Sequence, residues 1–272
     1  MGQSLTKVKR FLSNNPICIF CGGVTPSTSQ DHIPARSIFI DRKWPEGYVF
    51  SACDSCNNSS SDAEYLVSFL TAVGWDILDA SEATKQKAKE VFEEFIIRKH
   101  SLAKKITSAS TNQKRALARQ SGFELPRGAT HSQIPLAKLP PEFDAALKTF
   151  GVKLAKALHY LHSGNQFILP AEADITAFGE TNTSWLRGES FQDYELFNTL
   201  FPVQNLRREN IVLSQQFSYS YGMTGDFRNS VFICRFGHVF NLALFVVLDS
   251  DEFGDSVNRS IDSLSENHSP IP

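Results

Sequence analysis

The sequence predicts an α+β protein: a small cysteine-rich module first, then helices, then a C-terminal helix followed by antiparallel strands. Three observations carry this. Four of the five cysteines form two C-x2-C pairs, Cys18/Cys21 and Cys53/Cys56, on either side of an Asp31-His32 dipeptide. Apolar residues then recur every three or four positions in several stretches, which is helical spacing. Near the end, aromatic and β-branched runs are separated by turn residues, which is strand spacing. With 272 residues, 42% of them apolar and 22 of them Phe, the chain can bury a real core as one large or two modest domains.

Taken in order, residues 1–16 read as a lead-in with one helical turn around Lys7 to Leu12, stopped by Asn14-Asn15-Pro16. Residues 17–52 contain Gly, Pro and short β-prone pieces, a hairpin-like unit too small for its own core. The polar run from Asn57 to Asp62 offers helix-capping side chains, and Leu66, Phe69, Leu70, Val73 and Ile77 then mark a helix of about four turns. A second helix is expected from Ser81 to about Ile106, with Ala88, Val91, Phe92, Phe95 and Leu102 inward. An interruption over 108–113 precedes a short helical piece ending at Arg119. The prolines of 122–141 suggest a linker. Phe143, Leu147, Phe150, Leu154, Leu158 and Leu161 give the clearest helix, preceded by Pro140-Pro141 and ended by Gly164-Asn165. Segments 217–222 and 230–248 read as antiparallel strands, the last two turning at Gly237-His238. The organisation is therefore a module over 1–79, a basic helical segment over 80–121, the linker, an α+β domain over 142–250 and a polar tail over 251–272.

The formal charge is −2, which excludes a uniformly basic body that coats nucleic acid. Basic residues do gather between Lys85 and Arg119, where ten Lys and Arg stand against Glu90, Glu93 and Glu94. No apolar run approaches the roughly 18 residues of a membrane span, and the opening lacks the apolar block of a secretion signal. A cytoplasmic location without membrane attachment is expected. Gly2 and Thr6 with Lys7, Lys9 and Arg10 fit a loose myristoylation pattern, here read as a plain polar start.

Each C-x2-C pair can bite one ion from a tight turn, so Cys18, Cys21, Cys53 and Cys56 are read as one tetrahedral all-cysteine zinc site, with Gly22 and Gly23 shaping the first turn. Such a site contributes roughly 10–16 kcal/mol of apparent folding energy in small modules, so loss of one thiolate should unfold this one. His32 has an ordinary pKa near ~6.5 and can take a proton from water at neutral pH. Asp31 places a carboxylate beside it. In a strand the two side chains point to opposite faces, so both reach one phosphate only if the strand bends or a metal sits at its edge.

Together these elements resemble the cysteine-rich HNH endonucleases, whose sequences carry C-x2-C, then D-H-x-P or D-H-x-x-P, then C-x2-C-N. Here these are Cys18-x2-Cys21, Asp31-His32-Ile33-Pro34 and Cys53-x2-Cys56-Asn57, about 50 residues in all. The variant pattern, with Ser37, Phe39 and a later Asp62-x-Glu64-Tyr65, is similar to a bacterial subgroup of that family. The resemblance implies a ββα-metal fold, His32 as general base, and a catalytic Mg²⁺ or Mn²⁺ ion held by Asp31 and Asn57, with Asn58 or Asp62 as substitutes for the latter. The family's middle Asn falls on Gly47-Tyr48, and its Gly-Gly after the D-H motif is replaced by Ala35-Arg36.

Plainer roles stand beside these. Asn57 and Asn58 could simply cap a helix. Asp62, Glu64 and Tyr65 suit cap, helix-dipole and packing roles. Arg36 could meet phosphate or only solvent. His159 and His162 suit the edge of a core better than a second metal site, Cys234 a buried strand position, and the 85–119 cations a solvated face better than a nucleic-acid track.

The function expected is hydrolysis of phosphodiester bonds in DNA by the zinc-held module, with the C-terminal part binding a protein partner or a signal. The alternative is a zinc-binding adaptor that holds nucleic acid or protein without cutting. A thiol redox role suits neither the spacing nor the setting of the pairs.

Overall fold

A computed structural model describes residues 2–73, 82–120, 125, 127–128, 130–132, 139–164, 174–181, 199–237 and 239–248. The architecture is α+β. The chain opens with helix α1 (Gly2–Asn14), which is much longer than the single turn expected. Asn15 closes it by donating from both its amide and its side chain to the Phe11 carbonyl. Strands β1 (Ser29–His32) and β2 (Val49–Ala52) form an antiparallel ribbon in which Asp31 faces Phe50 and His32 faces Val49. Short helix α2 (Asp54–Ser59) follows, then α3 (Ser61–Val73). The expected extension to Ile77 lies outside the described residues.

The long helix expected over 81–106 is two helices, α4 (Glu82–Arg98) and α5 (His100–Thr107). Lys99 leaves helical geometry between them and pairs with Asp62 on α3 at 3.1 Å. No Gly or Pro marks this break. Helix α6 (Thr111–Gln120) starts within the stretch expected to be interrupted. Most of the 122–141 linker, residue 165, His238 and the 251–272 tail lie outside the described residues.

Helix α7 (Pro141–His162) is the hub. Its N-terminal Pro is preset for the first helical turn. One side packs on α3, and the other on a four-stranded antiparallel sheet ordered β3-β8-β7-β6. The strands are β3 (Asp174–Thr181), β6 (Ser218–Met223), β7 (Asn229–Phe236) and β8 (Phe240–Val247). The last three were legible as strands; β3 was not. A two-residue ribbon, β4 (Arg207–Arg208) with β5 (Ile211–Val212), precedes β6.

Strand alternation in β7 buries Phe232, Cys234 and Phe236 on the α7 side, and the Phe150 ring meets that of Phe236 at 5.6 Å. On the other side of α7, Phe69 and Phe95 stack at 3.8 Å with Phe143 against both. A single apolar cluster therefore runs from the ribbon through α3 and α7 to the sheet. Aromatic pairs of this kind contribute about 0.5–1.5 kcal/mol each beyond the area they bury.

Candidate functional site

The cysteines come first because the ribbon is built around them. Gly23 (φ +85°) turns the chain after Cys21, and its amide donates to the Cys18 carbonyl; a Cβ there would lie 2.8 Å from Ile17. Ile19 donates to Ser51 and Thr28 to Ala52, which ties this turn to β2. Cys53 follows β2 directly and caps α2, its Sγ accepting from the Cys56 amide. The four ligand atoms consequently lie within 4.8 Å of one another, and among the described residues no other His, Cys, Asp or Glu group of three or more does so. A tetrahedron with Zn–S near ~2.3 Å has sulfurs about 3.8 Å apart, so the group can hold one metal ion such as zinc. Burial raises the Cys18 and Cys56 thiols. Burial also acts on Cys21, but hydrogen bonds from Thr25 and the neighbouring thiols outweigh it and lower that group.

Strand geometry separates the Asp31-His32 pair as the sequence anticipates. Asp31 is buried and meets α7: Lys153 Nζ lies 2.5 Å from its Oδ2, 2.8 Å from Glu64 Oε1 and 2.6 Å from Ser60 Oγ. Ser60 also donates to Glu64. Both carboxylates and the ammonium are nearly dry, and such an ion set persists only because each member is paired. Asn57 is inside α2 and is not its cap; its side-chain amide donates to Ser29 Oγ at 3.0 Å. Ser29 and Asp31 are two apart in β1 and share a face, so Asn57 approaches the Asp31 side of the ribbon.

His32 turns the other way. Its half-buried ring sits edge-on to Trp44 with centroids 4.7 Å apart. Two guanidinium groups lie over the same indole, Arg36 at 4.9 Å and Arg208 at 4.0 Å. Burial first, then the charges of Arg36, Arg208 and Arg42, lowers the His32 pKa to about 4. The imidazole is therefore neutral near pH 7.

The loop between the strands is pinned from the C-terminal half. Tyr48 shares a 2.7 Å hydrogen bond with the Tyr219 hydroxyl, which lies 2.7 Å from His162 Nε2. Burial pushes Tyr48 up to about 12. His162 stacks on Tyr221 at 3.8 Å, and His159 Nδ1 lies 2.9 Å from Ser230 Oγ. Both histidines are packing residues between α7 and the sheet. Cys234 is buried in β7.

Of the other candidates, Asn58 and Asp62 are exposed, with Asp62 paired to Lys99. Tyr65 stacks on Phe95 beneath the Arg98 guanidinium. Glu64 proves more than a packing residue, since it shares Lys153 with Asp31. The basic face of α4 and α5 is largely spent on acids, in Lys85–Glu82, Lys89–Glu93, Arg98–Glu94 and Lys105–Glu142. The sequence reading overlooked Lys153, Trp44 and Arg208. Lys153 had a signal, because it falls three residues after Phe150 on the apolar stripe of α7; Trp44 and Arg208, 164 positions apart, had none. Compared with family models, with curated proteins and with solved structures, the chain finds no match.

Proposed function

We propose that the chain is a metal-dependent nuclease of the HNH type that hydrolyses phosphodiester bonds in DNA, with Cys18, Cys21, Cys53 and Cys56 holding a structural zinc ion. The observation that carries this reading is the setting of His32: a neutral, half-exposed imidazole flanked by Arg36, Arg42 and Arg208. A neutral imidazole can accept a proton from the attacking water, and the guanidinium groups stabilise the negative charge that grows on the phosphate. Trp44 fixes the ring from its edge.

A divalent ion such as Mg²⁺ or Mn²⁺ would be held by Asp31 and Asn57 on the face of the ribbon opposite His32, and would supply Lewis-acid polarisation of a phosphoryl oxygen for a phosphate that reaches it across the ribbon edge. Two side chains suffice for such an ion when phosphate oxygens and water complete its shell. Lys153 fixes the Asp31 carboxylate by pairing with it; it also competes with the ion for that carboxylate. A non-cleaving adaptor that holds nucleic acid would use the cysteines and the arginines but gives the neutral imidazole of His32 no role.

The test is plasmid nicking by purified protein with Mg²⁺ or Mn²⁺. Wild type should nick, and His32→Ala should not, at unchanged zinc content. Failure of the wild type across several metals and substrates would return the chain to the adaptor reading.

A further inference from the structure

We propose that Arg36 and Arg208, both stacked on Trp44, form a clamp that grips a DNA backbone phosphate beside the one presented to His32. The clamp draws on both halves of the chain. Arg36 begins a short 3-10 turn (Arg36–Ile38) just after the D-H motif, whereas Arg208 comes from β4. The join between them is built: Arg208 donates to the Trp44 carbonyl at 3.2 Å, Glu46 donates from its amide to the Arg207 carbonyl at 3.1 Å, and Glu209 donates from its amide to the Glu46 carboxylate at 3.1 Å.

Arg208 gives one N–H to the Trp44 carbonyl and keeps the others to donate. The ring face takes the flat side of the cation, and the in-plane N–H groups keep the fork that fits two phosphate oxygens. Among the described residues no carboxylate pairs with Arg36, Arg42 or Arg208, in contrast to the cations of α4 and α5. Two guanidinium groups over one indole, with Arg42 close enough to act on His32, leave a concentrated positive field that an anion would neutralise. A polyanionic chain fits better than an isolated phosphate, because Arg42 is exposed at the margin and extends the positive track.

The choice of DNA as ligand rests on the nuclease reading. The experiment is therefore done on full-length His32→Ala protein, where binding is measured without cleavage. The probe is a fluorescein-labelled DNA duplex read by anisotropy over a series of salt concentrations. Arg36→Ala and Arg208→Ala should each weaken binding about tenfold and lower the salt slope by about one phosphate contact. Arg36→Lys and Arg208→Lys keep the charge and spare the fold; they should weaken binding several-fold with the slope retained. Unchanged affinity and slope in all four variants, with far-UV circular dichroism intact, would overturn the clamp. So would a polyglutamate peptide that binds with the same arginine dependence while the duplex does not. Absent nicking by the wild type alongside arginine-dependent binding would sink the nuclease reading and leave the clamp standing.

Discussion

Lys153 Nζ lies 2.5 Å from Asp31 Oδ2, and this contact joins the centre of α7 to the strand that carries the D-H motif. The same ammonium holds Glu64, so one cation is shared by a buried acid and a partly buried one. Lys153→Met would leave both carboxylates without their cation, Glu64 keeping only the Ser60 hydroxyl. A loss of about 3–5 kcal/mol is expected, the usual cost of breaking a buried pair. Urea unfolding measures it, and adding Asp31→Asn should recover part of the loss. Equal stability of wild type and Lys153→Met would show that the network carries no energetic weight.

His32 gives a kinetic prediction. The acid limb of kcat/KM reports the base in the free protein, so it should fall near pH 4, not near 6.5. Arg208→Ala removes one of the charges that depress the imidazole and should move the limb upward. A limb near 6.5 in the wild type would mean that the ring is not held as described.

The histidines also set a stability prediction. His32 and His162 have folded pKa values lowered to about 4, and His159 is lowered by burial. Above about pH 6.5 each is neutral both folded and unfolded, so its contribution is fully present. Between about 6.5 and 4 the unfolded chain binds protons that the folded chain refuses, and stability falls as the pH falls. Urea midpoints should decline through that window, and His162→Gln should flatten the decline. A midpoint constant from pH 7 to 4.5 would contradict it.

Metal content gives the fourth prediction. Elemental analysis should find one zinc ion per chain. Chelation, or Cys53→Ser, should remove it together with the ribbon and α2, because Cys53 is both a sulfur donor and the cap of that helix. A variant that loses zinc and keeps its circular dichroism spectrum and urea midpoint would show that the hydrophobic cluster suffices.

Local features were readable and distant ones were not. The cysteine spacing encodes its own geometry, because two residues between thiols make a tight turn whatever the rest of the chain does. The stripe of α7 and the alternation in β6 to β8 were equally local. Helix α4 ends at Arg98 and α5 begins at His100, and no local breaker announces the break. Strand β3 contains Asp174, Gly179 and Glu180, and becomes a strand because β8 offers it a full edge. Around His32 the sequence supplied the imidazole and its acidic neighbour but not Trp44, Arg208 or Lys153. Their relevance arises only when α7 and β4 come to lie against the ribbon. Tyr48 shows the same limit: it stood as a missing amide, yet its hydroxyl reaches Tyr219 and anchors the loop from outside the module.

The hydrogen-bonded join between Trp44 and β4 bears on how the chain comes into being during synthesis. A ribosome would finish both C-x2-C pairs and the D-H motif long before it reached Lys153, and longer still before Arg208. An incomplete product would thus bear the recognisable signature while its acid stays uncompensated and its cationic rim half built. The surroundings of the ribbon are thus complete only once the chain from Lys153 to Arg208 has been made.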